Sequence, residues 1–169
     1  MKIKKPVDVS NLKITIASLD PIEDKLETLL KLIIIDYCAR HKKRLKKPKE
    51  KISIAITSSS PNTEDGSSMD GMTYQSMSGI FVEIRSPYMA EWEPNPYSDS
   101  RFLDIICHEF VHVAQHLTQY DGLDIKFNYD PEDDTERYFF DVCELDARIL
   151  EGFYSAVYGS MVFDGGDNG

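Results

Sequence analysis

Residues 101–120, RFLDIICHEFVHVAQHLTQY, constrain the fold more than any other stretch of the chain. Phe102, Ile105, Ile106, Phe110, Val113 and Leu117 recur at helical spacing, which predicts a helix with one core-facing apolar stripe. Ser98 or Ser100 is placed to cap it. The same segment holds three of the four histidines, His108, His112 and His116, at i, i+4 steps. That spacing stacks side chains along one face of a helix, so His108 and His112 are neighbours on a flank of the stripe.

His108-Glu109-Phe110-Val111-His112 is an HExxH pattern. Two imidazoles one turn apart present nitrogens to one ion at about 2.0 to 2.1 Å, which suits Zn²⁺. Glu109 lies about 100° round the helix from His108, so it flanks the ion without binding it. That is the place of a base acting on water whose pKa a zinc ion lowers from ~15.7 to about 7.

A catalytic zinc site takes three protein ligands and keeps a further position open. His116 continues the series, but the row of three spans about 12 Å at 1.5 Å per residue, too far for one ion. Glu144, in CELDARILE, is the better candidate, with Asp141 and Asp146 as alternatives. In that final helix Val142, Leu145, Ile149 and Phe153 are expected to supply the core contacts, while Ala147 would permit close approach to the motif helix. On its own, Glu144 reads as an exposed acid paired with Arg148 at i+4, worth about 0.2–0.5 kcal/mol. Cys107 and Cys143 precede two of the candidates and are expected to be buried apolar thiols.

Elsewhere the pattern predicts strands at LKITIAS (12 to 18), KISIAIT (51 to 57) and GIFVEIRS (79 to 86). A helix follows Asp20-Pro21, and KFNY (126 to 129) suggests a short strand. A last helix, opened by Asp130-Pro131, is expected to end before Gly159, leaving 160–169 as a frayed tail. The polar, Ser- and Gly-rich stretch 58–78 has no periodicity and reads as a flexible loop that, with the Trp92 segment, would wall a cleft. The order of elements implies one α+β domain over 1–169, with a small mixed sheet packed on helices and the strand and helix of 1–50 at its start.

The net charge of -10 argues against general affinity for nucleic acid or membranes. The exception is RHKKRLKKPKEK (40 to 51), which carries +7 and leaves -17 on the remainder. Three dispersed cysteines, the lack of an N-terminal apolar run and no stretch approaching ~18 apolar residues predict a cytoplasmic protein.

HEFVHVAQ, followed about thirty residues later by Glu144-Leu145-Asp146-Ala147, resembles the small gluzincin-type zinc metallopeptidases of bacteria and phages. Their pattern is HExxH, a Gln three beyond the second His, and a later helix carrying ExxA. The resemblance covers roughly residues 79 to 158. It implies a zincin-like fold in which His108, His112 and Glu144 bind Zn²⁺ and Glu109 is the general base of peptide hydrolysis. It also implies that GIFVEIRS is the edge strand, against which an extended peptide or protein substrate pairs. The metzincin pattern HExxHxxGxxH is absent, since Gln115 and Thr118 stand at its later positions. No residue in a fixed position supplies the oxyanion donor; Tyr120, Arg137, Tyr138 and Arg148 are candidates. Two other readings fit the same residues. One is a non-catalytic zinc-binding regulatory or interaction domain, closed by His116 or an Asp. The other is a SprT-like, DNA-associated protease whose basic run meets phosphates.

Overall fold

KITIA, KISIAIT and GIFVEIR place Ile or Val at alternate positions, and each forms a strand. A computed structural model of the protein describes residues 5–18, 22–57, 70–85, 100–118 and 142–163. In order they form β1 (Lys13–Ala17), α1 (Glu23–Arg40), β2 (Lys51–Thr57), β3 (Gly71–Ser76), β4 (Gly79–Arg85) and α2 (Ser100–Thr118). A continuous C-terminal helix follows: α3 (Val142–Tyr154), a wider π-helical turn (Ser155–Gly159) and α4 (Ser160–Phe163). The caps expected at Asp20-Pro21 and Asp130-Pro131, the strand at KFNY and the Trp92 segment lie outside the described residues.

The architecture is α+β, with a four-stranded mixed sheet in the order β1-β2-β4-β3. β1 and β2 are parallel, from Lys13 opposite Lys51 to Ala17 opposite Ala55. A parallel pair needs a crossover, which α1 supplies. β2 and β4 are also parallel, and β3 and β4 are antiparallel.

Two expectations are corrected at this sheet. GIFVEIR is an inner strand, flanked by β2 and β3, and among the described residues β3 is the edge on that side. Its run of buried Ile80, Val82 and Ile84 is the composition of a strand covered by neighbours. Residues 71–76, assigned to a flexible loop, form β3 and turn into β4 through Met77-Ser78. GMTYQS is polar because an edge strand is half solvated, which hides it from a periodicity argument. The rest of that loop, 58–69, lies outside the described residues.

Ile52, Ile54, Ile56, Ile80, Val82 and Ile84 share one buried face of the sheet. α2 lies against β3 and β4, while α1 packs on β1 and on α2. Phe102, Ile106, Phe110, Val113 and Leu117 are buried as expected, with Ile105 half-buried at the margin.

The C-terminal helix is rotated from its expected setting. Leu145, Ile149 and Phe153 are exposed, and the buried face instead carries Glu144, Ala147, Leu150 and Tyr154. Ala147 is fully buried where α3 meets α2, so the small residue is used for close approach. Asp36 on α1 fixes the rotation: it accepts hydrogen bonds from Tyr154 Oη (2.7 Å) and Tyr158 Oη (3.1 Å) and pairs with Arg40 Nε at 3.1 Å. Nor does the helix end before Gly159. The π turn absorbs that glycine, whose added Cβ would lie 3.4 Å from Leu103 Cδ1, and α4 runs on to buried Phe163. Among the described residues no helix is long and apolar enough to cross a membrane.

Gly79 tests the β3–β4 hairpin. Its φ of +143° is open to glycine alone, and a Cβ there would lie 2.5 Å from the Lys51 carbonyl oxygen. Gly79→Ala is expected to cost about 2 kcal/mol or more, lowering Tm by roughly 5 °C in a thermal melt.

Candidate metal centre

His108 and His112 project from α2 toward α3, and Glu144 projects back from the first turn of α3. His108 Nε2 and His112 Nε2 are 3.1 Å apart. Glu144 Oε1 lies 3.0 Å from His112 Nε2, and Oε2 lies 3.2 Å from His108 Nε2. Ligand atoms of these three residues all fall within 4.8 Å of one another, a group able to hold one metal ion.

The hydrogen bonds behind the imidazoles decide what they present to the centre. His108 Nδ1 meets Glu151 Oε2 at 2.6 Å, and a carboxylate only accepts, so Nδ1 carries the proton. For His112 the argument runs through Gln115. Its Nε2 donates to the Cys143 carbonyl oxygen at 2.9 Å, which turns Gln115 Oε1 toward His112 Nδ1 at 2.8 Å. An amide oxygen only accepts, so this Nδ1 is protonated as well. Both neutral rings therefore aim Nε2 lone pairs at each other and at a carboxylate. Three acceptors at 3.0–3.2 Å repel unless a positive charge lies between them. Glu144 Oε2 adds to this demand, being fully screened from solvent without an aligned hydrogen-bond donor. The donor set, two imidazole nitrogens and a carboxylate, suits zinc.

Without an ion, a proton serves. Burial works against a charged His108, but the neighbouring Glu144 and Glu151 carboxylates, which attract the imidazolium protons, outweigh it and push its pKa up to about 10. His112 is raised against the same burial by Glu144 and Glu109. Burial opposes the Glu144 charge, yet the two histidines hold its carboxyl well below the usual carboxylate range.

Glu109 lies on the side of α2 that meets the sheet edge. The Thr73 hydroxyl on β3 donates to Glu109 Oε2 at 2.6 Å. An added Cβ at Gly71 would come within 2.7 Å of Oε1, so only glycine leaves this carboxylate its room. Thr73 is opposite Val82 and Gly71 opposite Ile84, so both share the sheet face that α2 covers. Burial pushes the Glu109 carboxyl up, against His112, Thr73 and His108, all of which favour the charged form.

The structure thus brings together His108, His112, Glu144 and Glu109, and separates them from the other candidates. His116 is not in the group; burial, His112 and Lys47 push its imidazole down to about 4. Asp146 faces His41 Nε2 at 3.4 Å instead. Asp141, Tyr120, Arg137 and Tyr138 lie outside the described residues. Arg148 Nε is 4.0 Å from Glu144 Oε2. Cys107 is buried as expected and Cys143 half-buried. Sequence reasoning missed Glu151, Thr73 and Gly71. Glu151 had a signal, standing two turns after Glu144 on one helix face; Thr73 and Gly71 had none. Comparison of the chain with family profiles, curated proteins and solved structures finds no match.

The folded protein holds the His108 proton up to about pH 10, whereas an unfolded chain loses it near 6.5. Metal-free protein therefore keeps this stabilisation below pH 6.5 and loses it as pH rises to 10. Tm of chelator-treated protein should fall over that interval. Saturating zinc, which replaces the proton, should remove most of the fall in the same melts.

Proposed function

We propose that the protein is a zinc-dependent metallopeptidase of gluzincin type. The observation that carries this reading is the convergence of three acceptor ligands, His108, His112 and Glu144, beside a buried carboxylate, Glu109, at a sheet edge. Catalytic zinc sites use three protein ligands and structural ones four. Among the described residues no fourth side chain joins the group, which favours the catalytic reading over a purely structural zinc domain. When bound, zinc supplies the Lewis acidity that polarises a peptide carbonyl and lets water ionise near neutral pH.

The chain's own residues do the rest. Gln115 and Glu151 keep both Nε2 lone pairs aimed at the centre. Glu109 accepts the proton of the attacking water and returns it to the departing amine. Thr73 engages Oε2, which leaves Oε1 to carry that proton. Its raised pKa suits a group that must give the proton back. β3 ends the sheet among the described residues, and an extended peptide added along it would pass beside Glu109. Residues 71–76 thereby replace 79–86 as the substrate strand of this reading.

Glu109→Gln should keep its zinc, measured by metal content after dialysis, and lose at least about 10²-fold of its activity on casein or a quenched fluorescent peptide library. Wild-type rates in that variant would end the proposal. Gly71→Ala, which crowds Oε1 without touching a ligand, should also retain zinc while kcat falls about 10-fold or more.

A further inference from the structure

We propose that two copies of this chain associate through the outward face of the C-terminal helix, packed antiparallel about a two-fold axis. Between Leu145 and Met161 the exposed positions are 145, 148, 149, 152, 153, 156, 157, 160 and 161, and Arg148 is the one charged residue among them. Solvent-facing helix surfaces in a chain with 28% charged residues are not built this way; the exposed positions of α1 include Asp24, Lys25, Thr28 and Arg40. The opposite side of the helix is already buried against the core. The helix is therefore apolar on both sides, the composition of one that is covered on both.

The large residues form a ladder at four-residue intervals: Leu145 is 45% exposed, Ile149 66%, Phe153 42%, Val157 45% and Met161 55%. In a regular α-helix each such step over-rotates by about 40°, which would wind the ladder off the face. The π-helical turn at Ser155–Gly159 holds more residues per turn, so it checks this winding over the steps to Val157 and Met161. The result is a stripe about 24 Å long at 1.5 Å per residue. These side chains expose roughly 400–500 Å² of apolar surface, the size of a largest patch of the kind that is often functional.

Three features select a second copy as occupant. The knobs are evenly spaced, so a reversed copy meets them at the same interval and a two-fold contact engages the ladder from both sides at once. A row of small residues, Gly152, Ala156 and Ser160, runs beside the ladder, and nothing lies within 4 Å of where a Gly152 Cβ would be. Antiparallel pairing sets knobs over these gaps: Phe153 against the partner's Gly152, and Ile149 against the partner's Ala156. The third feature is electrostatic. Two chains of charge -10 repel, and these exposed positions carry no acid, so the stripe lets them meet without facing carboxylates. With its margins the stripe approaches the ~800 Å² per partner of a standard interface.

Sedimentation equilibrium of the full chain across the micromolar range should give a dimer. Ile149→Glu, at an exposed position that touches no metal ligand, should raise the dimer dissociation constant at least about 100-fold with Tm and zinc content unchanged. Val157→Glu is the second variant should the first fail to fold. Phe153→Cys, next to the axis, should form a disulfide-linked dimer under mild oxidation that the wild type does not form. A wild type that sediments as a monomer overturns the proposal, and so does a dimer that both glutamates leave intact. A monomer destabilised by Ile149→Glu would mean that the chain's own segments cover the stripe, which also overturns it. None of these outcomes depends on zinc or hydrolysis, so the peptidase reading stands or falls separately.

Discussion

The structure turns on an electrostatic demand: two imidazole lone pairs and a shielded carboxylate meet within 3.2 Å on the α2–α3 contact. Such a cluster is stable only with positive charge inside it, and the surrounding bonds make the demand stricter. Gln115 and Glu151 take up the only protons the neutral rings possess, so the rings cannot relieve one another by changing tautomer. Glu144 is 5% exposed, so bulk solvent does little to relieve it. Ala147 permits the approach of the helices, and the Asp36–tyrosine cluster sets the rotation that brings Glu144 round.

The same helix couples this centre to the sheet. A buried carboxylate is costly unless its charge is answered, and Glu109 finds its answer in His112, Thr73 and His108. The Thr73 bond crosses from α2 to β3, which ends the sheet among the described residues, so the carboxylate and that strand are held in one register. Gly71 contributes by having no side chain. β3 is therefore both the rim of the site and the clamp on its acidic residue, although its sequence reads as loop.

Much of the site was legible because it is local. HExxH is a statement about one helix, and an apolar stripe with i, i+4 histidines fixes which residues face which way. Glu144 was reachable too, since Ala147 signalled close approach. The errors are non-local. Strand order is set by pairing partners, which no single segment encodes, so the inner GIFVEIR was read as an edge and the polar GMTYQS as a loop. The C-terminal helix was misread for a sharper reason: Leu145, Ile149 and Phe153 form a persuasive apolar ladder, yet the core takes the opposite face with Glu144 on it.

That misreading carries physical content. A helix has two faces, and hydrophobicity alone assigned the wrong one to the core because both are apolar. What decides between them is polar: one rotation gives Glu144 to the histidines, Glu151 to His108 Nδ1, and Tyr154 and Tyr158 to Asp36. The His108–His112–Glu144 cluster and the Asp36–tyrosine cluster together fix the setting of the helix, and in doing so turn the ladder outward. Were the ladder surplus apolar surface, a regular helix would wind it round the axis and disperse it. The π turn checks that winding over the steps to Val157 and Met161. A distortion that limits the dispersal of apolar residues makes physical sense when another surface covers them, and even spacing with gaps beside the knobs fits the ladder's own copy as that surface.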